Sequence, residues 1–443
     1  MAFSSGLSSI LSGGDEVIAA RATPAGPGAL AIVRLSGPSL GGVLARLCPA
    51  LDLKKVRQAQ FIRILDARGA EIDEGVGIFF RGPASYTGED AAELTVHGSD
   101  FLVEETLKAA VVAGARWARP GEFTRRAVAN GKMDLSQAEA VDQLIRSECA
   151  WQARLAREQL HGRLSEKIGV LRQEMLRLLA ATEASLDYVE QGLVVDDQEM
   201  LRLQKTCLAD LDRLLATLSA GRKIRGGLRI VILGPPNTGK SSIFNVLCKE
   251  ERAIVNPRAG TTRDVLEVEM EIEGIPVTLV DTAGLRETAD EVELEGVARA
   301  RKGAAGADLV LLVSDGEARC EDFGGAGPEQ IRVRNKIDLP GRRHREGLLV
   351  SARSGEGMAE LRRELHRRIR RPLENLEGGI AINSRQADAL GAAREHLLFG
   401  AGEERELVAE EIRLALGKMD EVLGRVDGEE VLDAVFDTFC LGK

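Results

Sequence analysis

In the stretch GPPNTGKSS, Gly234, Gly239, Lys240 and Ser241 have the GxxxxGK[ST] spacing, with Asn237, Thr238 and Ser242 completing the loop. It follows the apolar run RIVIL and precedes the helix-like SSIFNVLCKE. Backbone N–H groups of such a loop, with the helix N-terminus behind them, surround phosphates. Lys240 then neutralises β and γ oxygens, and the Ser241 hydroxyl reaches magnesium. GTTRD follows at Gly260 to Asp264. Its Thr261 and Thr262 can approach a terminal phosphate, Thr262 as a magnesium ligand. In DTAG, Asp281, Thr282, Ala283 and Gly284 close a strand where a carboxylate can hold magnesium through water.

Two further motifs choose the base. NKID supplies Asn335, Lys336 and Asp338, and SARSG supplies Ser351, Ala352 and Arg353. The Asp338 carboxylate can accept from N1–H and the exocyclic amine of guanine, whereas adenine presents a lone pair at that edge and is repelled. A backbone N–H of the SAR segment suits the guanine oxygen. Five motifs in this order predict GTP. One catalytic part is missing. Where Ras-type enzymes carry a water-orienting glutamine after DTAG, this chain has Leu285.

The elements that must position these residues show three textures. With 443 residues the chain exceeds one ordinary core, and about two to three domains are expected. From Glu16 to about Arg126, short apolar alternations broken by Gly and Pro predict an α+β domain with a helix near Phe101 to Val112. From about Asp134 to Arg222, Leu and Ala recur every three or four residues with no Pro, which predicts long helices in need of partners. From Arg229, buried strands alternate with helical stretches, the pattern of an α/β unit with a mostly parallel sheet. Helical texture resumes after about Pro372. The expected architecture is an N-terminal α+β domain (1–129), a discontinuous all-α domain (130–223 and 376–443) and an α/β P-loop G domain inserted into it (224–375).

Composition narrows the setting. A net charge of -10 argues against global electrostatic grip on nucleic acid. Six cysteines without a CxxC pair speak against a zinc site and a disulfide framework. No apolar run approaches membrane-spanning length, so a cytoplasmic protein without membrane contact is expected. The basic runs GRRHR and LRRELHRRIRR read either as an RNA surface or as solvated helix faces.

PNTGKS, AGTTRD and DTAGLRE together resemble the tRNA-modification GTPase family called MnmE or TrmE, as do RPGEFTRRA and GKMDLSQAEAVDQLI. The terminal FCLGK is similar to the FC(I/L/V)GK that ends its members, and the resemblance covers almost the whole chain. It implies a GTPase stimulated by potassium and by G-domain dimerisation, the ion lying where an arginine finger would bring its charge. Asn237 matches the potassium-ligating asparagine, and the loop from Asn256 through Arg258 to Thr261 would add backbone carbonyls. Here that loop reads NPRAG, a departure from the commoner sequence. The water falls to a glutamate after DTAGLRE, matching Glu293. Asp290, Glu291 and Glu295 are the neighbouring carboxylates that compete for the role.

The same resemblance implies that Arg34, Glu93, Lys132 and Lys443 contact a tetrahydrofolate derivative, 5,10-methylene- or 5-formyl-tetrahydrofolate. Cys440 reads equally as a reactive thiol and as a small packer behind Phe439. The implied reaction adds a (carboxymethyl)aminomethyl group to C5 of the wobble uridine of certain tRNAs. It is carried out by a homodimer with an FAD-containing MnmG-like partner, in a heterotetramer or larger complex. No FAD or NAD fingerprint is present in this chain. Two other readings compete. A ribosome-assembly GTPase shares the P-loop and TTRD segments but would carry a KH module or a second G domain, and a nucleotide-gated scaffold would bind no folate.

Replacing Glu293 with Ala is expected to keep GTP affinity but slow single-turnover hydrolysis in saturating potassium by about two to three powers of ten, about 3 to 4 kcal/mol. Leu285→Ala, which removes packing only, should cost much less. Near-normal turnover of Glu293→Ala beside an inactive Glu295→Ala would move the role to Glu295.

Overall fold

The computed structural model describes residues 16–187, 197–250, 252–253, 266–281, 306–315, 328–339, 347–371, 376, 379–399, 404–425, 435–436, 439 and 442. The chain divides into two compact units. One comprises Met1–Ile145, Gln159–Leu208 and Ala389–Lys443; the other comprises Arg146–Glu158 and Ala209–Asp388. The long helical stretch therefore contributes residues to both.

The first unit is built on β1 (Val17–Arg21), β2 (Leu30–Ser36), β3 (Gln60–Leu65), β4 (Glu71–Phe80), β5 (Ala91–His97) and β6 (Ala115–Trp117), in the order β3-β4-β5-β2-β1-β6. Only β1 and β6 pair in parallel. Along β2, Ala31, Val33 and Leu35 are buried while Leu30, Ile32 and Arg34 are not, the period-two signature of a sheet with one covered face. Helix α1 (Leu40–Leu47) presents Leu40, Val43, Leu44 and Leu47, one helical stripe. Together with Val103 and Leu107 of α2 (Asp100–Val112), these residues close the core over the covered face.

Helices α3 (Glu122–Ala129), α4 (Leu135–Ile145), α5 (Ala150–Leu160), α6 (Arg163–Asp187) and α7 (Asp197–Gly226) follow. Of these, α5 falls almost wholly in the second unit and α7 is divided between the two; from the C-terminal part of the chain, most of α10 (Ser384–Phe399) and all of α11 (Arg405–Leu423) belong to the first unit. Helices α6 and α11 pack along one another, and Arg172 bonds Asp420 between them at 3.0 Å. Beyond α11, Phe436 and Phe439 pack with Leu135 and Ala138, their rings 5.2 Å apart. The C-terminal segment thus returns to the junction of α3 and α4.

The second unit holds β7 (Leu228–Leu233), β8 (Arg252–Ala253), β9 (Leu266–Ile272), β10 (Ile275–Asp281), β11 (Leu309–Ser314), β12 (Glu329–Arg334) and β13 (Leu348–Leu349). Their order is β13-β12-β11-β7-β10-β9-β8, parallel from β13 to β10. Every residue of β11 is buried, as expected of a parallel strand covered on both faces. Between β9 and β10 lies a tight antiparallel hairpin. Helices α8 (Lys240–Glu250) and α9 (Met358–Arg370) complete the α/β pattern, α9 burying Met358, Leu361, Leu365 and Ile369. Because β10 and β11 flank β7 on opposite sides, the crevice beyond the carboxyl end of β7 is the topological switch point where such sheets bind ligands.

Cations on α9 are largely paired with carboxylates. Arg367 and Arg368 bond Glu364, Arg368 and Arg371 reach Glu329, and Arg370 lies 3.5 Å from Glu273. Arg367 and Arg368 hold the Glu364 carboxyl down at about 2. Of the two readings of LRRELHRRIRR, this arrangement favours the helix face over the RNA surface.

Phe436 is 2 % exposed. Phe436→Ala is expected to lower the urea-unfolding free energy of the first unit by about 3 to 4 kcal/mol. A variant within about 1 kcal/mol of the parent would show that the C-terminal segment contributes no core.

Candidate functional site

Strand β7 delivers the chain to Gly234, and the loop from there to α8 depends on close backbone approach. Gly239 has φ +91, and a Cβ added there would lie 2.2 Å from Asn335 Nδ2. Asn237, at φ +58, is one of the few non-glycine residues in left-handed backbone, which Asn tolerates better than most. Thr238 is buried, its hydroxyl donating to Pro235 O at 2.9 Å. Lys240 curls over the loop and donates through Nζ to Gly234 O and Pro235 O at 3.0 and 2.9 Å. Ser241 and Ser242 are exposed on the first turn of α8. Asp281, fully buried, ends β10 beside β7.

Asn335 joins these parts. It is 2 % exposed and makes three ties: its N–H donates to Ser314 O at 2.7 Å, Nδ2 donates to Thr238 O at 2.9 Å, and Oδ1 accepts from Ala352 N at 3.1 Å. Lys336 reaches from the next position to Asn237 O and lies 3.5 Å from Asp315. Ser351 Oγ donates to Asp338 Oδ1 at 2.8 Å and accepts from Ser354 N at 3.1 Å, so the exposed Asp338 carboxylate is held at one oxygen. Arg353 is exposed. The sequence singled out Asn335 for its motif alone; its three ties were not legible. Asn256, Arg258, Thr261, Thr262, Thr282, Ala283, Gly284 and Glu293 lie outside the described residues.

A second cluster lies on the face of the first sheet opposite the α1–α2 core, where Phe123 and Tyr86 pack with Ile18 and Ala20. Arg34 on β2 stands opposite Glu93 on β5. Its Nε and Nη2 both donate to Glu93 Oε1, at 3.1 and 2.8 Å, and Nη1 reaches Gly442 O at 3.4 Å. The guanidinium also sits 5.6 Å from the Tyr86 ring centre and 5.8 Å from that of Phe123. Gly442, with φ +92, lies so close to β1 that a Cβ would meet Arg21 O at 2.0 Å. Lys132 donates to Pro83 O at 2.8 Å. Arg34, Glu93 and Lys132 therefore border one loop, Gly82 to Asp90, while Cys440 and Lys443 lie outside the described residues.

Sequence reasoning missed what supports that loop. Arg126, 2 % exposed, donates to Glu89 at 3.0 Å, to Glu122 at 3.1 Å and to Glu16 O at 3.1 Å. Glu89 also accepts from Ser36, and the Tyr86 hydroxyl bonds Thr124 at 2.8 Å. Burial pushes the Glu122 carboxyl up, but hydrogen bonds from Arg116 and the Arg119 N–H outweigh it and leave it below its ordinary value. The i,i+4 spacing of Glu122 and Arg126 in GEFTRRA was the available signal.

Two family descriptions match the chain: "GTP-binding protein TrmE N-terminus" over residues 17–132 and "MnmE helical domain" over 135–440. The chain belongs to the MnmE family. Among curated MnmE relatives, the tRNA modification GTPase MnmE of Rhodopseudomonas palustris is 42% identical over 444 residues, 97% of this chain and 99% of that one. The tRNA modification GTPase MnmE of Aquifex aeolicus is 40% identical over 447 residues, 97% of this chain and 100% of that one. The FeoB G domain of Methanococcus jannaschii is 23% identical over 32% of this chain and 98% of its own, with a TM-score of 0.24, too low to carry structural inference. The Arg34–Glu93 pair falls within the TrmE N-terminal match, and Gly442 lies two residues beyond the MnmE helical match.

Gly239→Ala must adopt a left-handed backbone and displace the Asn335 amide. It is expected to weaken GDP binding by about tenfold or more in a fluorescent-nucleotide titration. Unchanged affinity would show that the Asn335 tie is dispensable.

Proposed function

We propose that this chain hydrolyses GTP to GDP and phosphate in the service of tRNA modification, adding a (carboxymethyl)aminomethyl group at C5 of the wobble uridine together with an FAD-containing MnmG-like partner. The observation that carries the nucleotide part is the three-way tie of Asn335, which joins the phosphate loop to the segment holding Asp338 against Ser351. The tRNA part rests on family membership.

The residues present fit the implied groups. Gly239, left-handed at φ +91 with no room for a Cβ, lets the backbone approach closely where phosphate oxygens would take loop N–H groups. Ser241 at the start of α8 and Asp281 at the end of β10 offer the hard oxygen donors that magnesium takes. Asn237, with the loop from Asn256, would hold potassium. Asp338 would read guanine beside the SAR turn, whose Ala352 N–H is held by Asn335. Magnesium and potassium supply positive charge against the phosphates when bound. The chain's own part in hydrolysis is to orient water through Glu293 and to hold the triphosphate in place.

In the first unit, Arg34, Glu93 and Lys132 would bind a tetrahydrofolate derivative, which supplies the one-carbon unit when bound. The Arg34–Glu93 pair supports this: a carboxylate with one oxygen engaged can still accept at the other, and a guanidinium over two rings suits a flat, anionic ligand. Leu30 and Phe61, 64% and 63% exposed on the same face, support pairing of two copies through this unit.

The test measures tRNA nucleosides by mass spectrometry in a strain lacking this gene and complemented with variants. The modified wobble uridine is expected to disappear without the gene, and Lys132→Ala or removal of Leu441 to Lys443 should fail to restore it. The same variants should turn over GTP normally, faster in potassium than in sodium. Intact modification in the deleted strain would overturn the tRNA reading, and equal rates in the two salts would overturn the potassium assignment.

A further inference from the structure

The segment Arg146–Glu158 stands far from the nucleotide motifs in sequence yet belongs to the unit that contains them. Its contacts fall on two elements. Gln152 at the start of α5 donates through Nε2 to Ile224 O and Arg225 O, at 3.0 and 3.2 Å, at the last turn of α7. Glu148 N in turn donates to Gln152 Oε1 at 2.7 Å. From those carbonyls the chain runs through Gly227 into β7 and the phosphate loop.

The neighbouring Trp151 grips the other element. Its backbone N–H donates to Gly274 O at 3.2 Å, and its indole lies so near the β9–β10 turn that a Cβ on Gly274 would meet Trp151 Cδ1 at 3.0 Å. Arg154 stacks on the indole from α5, 4.9 Å from the ring centre. On the α9 side of the same turn, Glu273, at φ +54, bonds His366 at 2.9 Å. In sequence, this hairpin joins GTTRD to DTAG. Among the described residues, strand β9, which follows GTTRD, pairs beyond β10 only with the two-residue β8.

We infer that Trp151 and Gln152 form a bracket that sets the β9–β10 hairpin against the strand entering the phosphate loop, making Trp151 a positioning residue for GTP hydrolysis. The hairpin is a lever fixed at its turn. An antiparallel ladder couples its two strands, so a loosened turn misplaces the Asp281 carboxylate at the far end of β10. The inference rests on the GTP-hydrolysis reading given above.

The experiment compares the full-length chain with Trp151→Ala and Trp151→Phe. Trp151→Ala should slow single-turnover GTP hydrolysis by about threefold to tenfold, with GDP affinity kept within about twofold. Trp151→Phe, which retains a flat ring against Gly274, should restore most of the rate. Hydrogen exchange of the amides from 268 to 280 should speed up in Trp151→Ala alone. Parent-like hydrolysis and exchange in Trp151→Ala would overturn the inference, as would equal losses in rate and GDP affinity, which mark general damage to the unit. If Trp151→Ala does not fold, Gln152→Ala, which removes the bonds to the α7 carbonyls and the one from Glu148 N, is judged by the same criteria. A parent chain without GTP hydrolysis would defeat the functional reading, while the exchange measurement on the nucleotide-free chain still decides the bracket.

Discussion

A buried amide needs partners for its polar groups, and Asn335 finds them by reaching three different loops at once. Leaving one of its groups unpaired would cost about 1 to 3 kcal/mol. The phosphate loop, the end of β11 and the SAR segment are therefore mutually dependent. Ser351 extends the arrangement to Asp338, and Lys336 returns it to Asn237. The nucleotide site is thus a connected set of side-chain and backbone bonds laid over the carboxyl ends of parallel strands. Its rigidity comes from the buried β7 and β11 beneath it.

The first unit solves a harder problem, because it buries a full charge. Arg126 sits inside the N-terminal domain, where removing a charge from water costs several kcal/mol unless it is paired and hydrogen-bonded. Glu89, Glu122 and the Glu16 carbonyl supply that compensation. The consequence is positional. Glu89 anchors the loop that carries Tyr86 beneath Arg34 and Pro83 over Lys132, so the candidate one-carbon site inherits its shape from a charge network behind it. Gly442 then brings the C-terminal segment against Arg34, where any residue with a side chain would strike Arg21.

The two units use charge differently. In the second, Arg367, Arg368 and Arg370 of α9 bond Glu364, Glu329 and Glu273, which joins the helix to β12 and to the β9–β10 turn. A basic run in an acidic chain is here mostly structural. The same turn also receives Trp151, so the hairpin that joins GTTRD to DTAG in sequence is contacted at its tip by α5 and α9.

The amino-acid sequence by itself determined the chemistry of the nucleotide motifs, the strand and helix textures, and the family, through FCLGK and the segments around it. These are local properties: a glycine spacing dictates backbone approach, and alternation of apolar residues dictates which face of a strand is covered. The helix at Asp100–Val112 and the buried strands were legible for the same reason. Whether Arg34 faces a ligand alone or is already bonded to Glu93 depends on the register between β2 and β5. That register is fixed by packing of Val33 and Leu94 into a shared core, and no local pattern reports it. The docking of Gly442 on Arg34, the burial of Arg126, and the passage of Trp151 to the β9–β10 turn were likewise decided in three dimensions. Each joins residues tens to hundreds of positions apart, and such pairs form only where the whole core brings their backbones within reach.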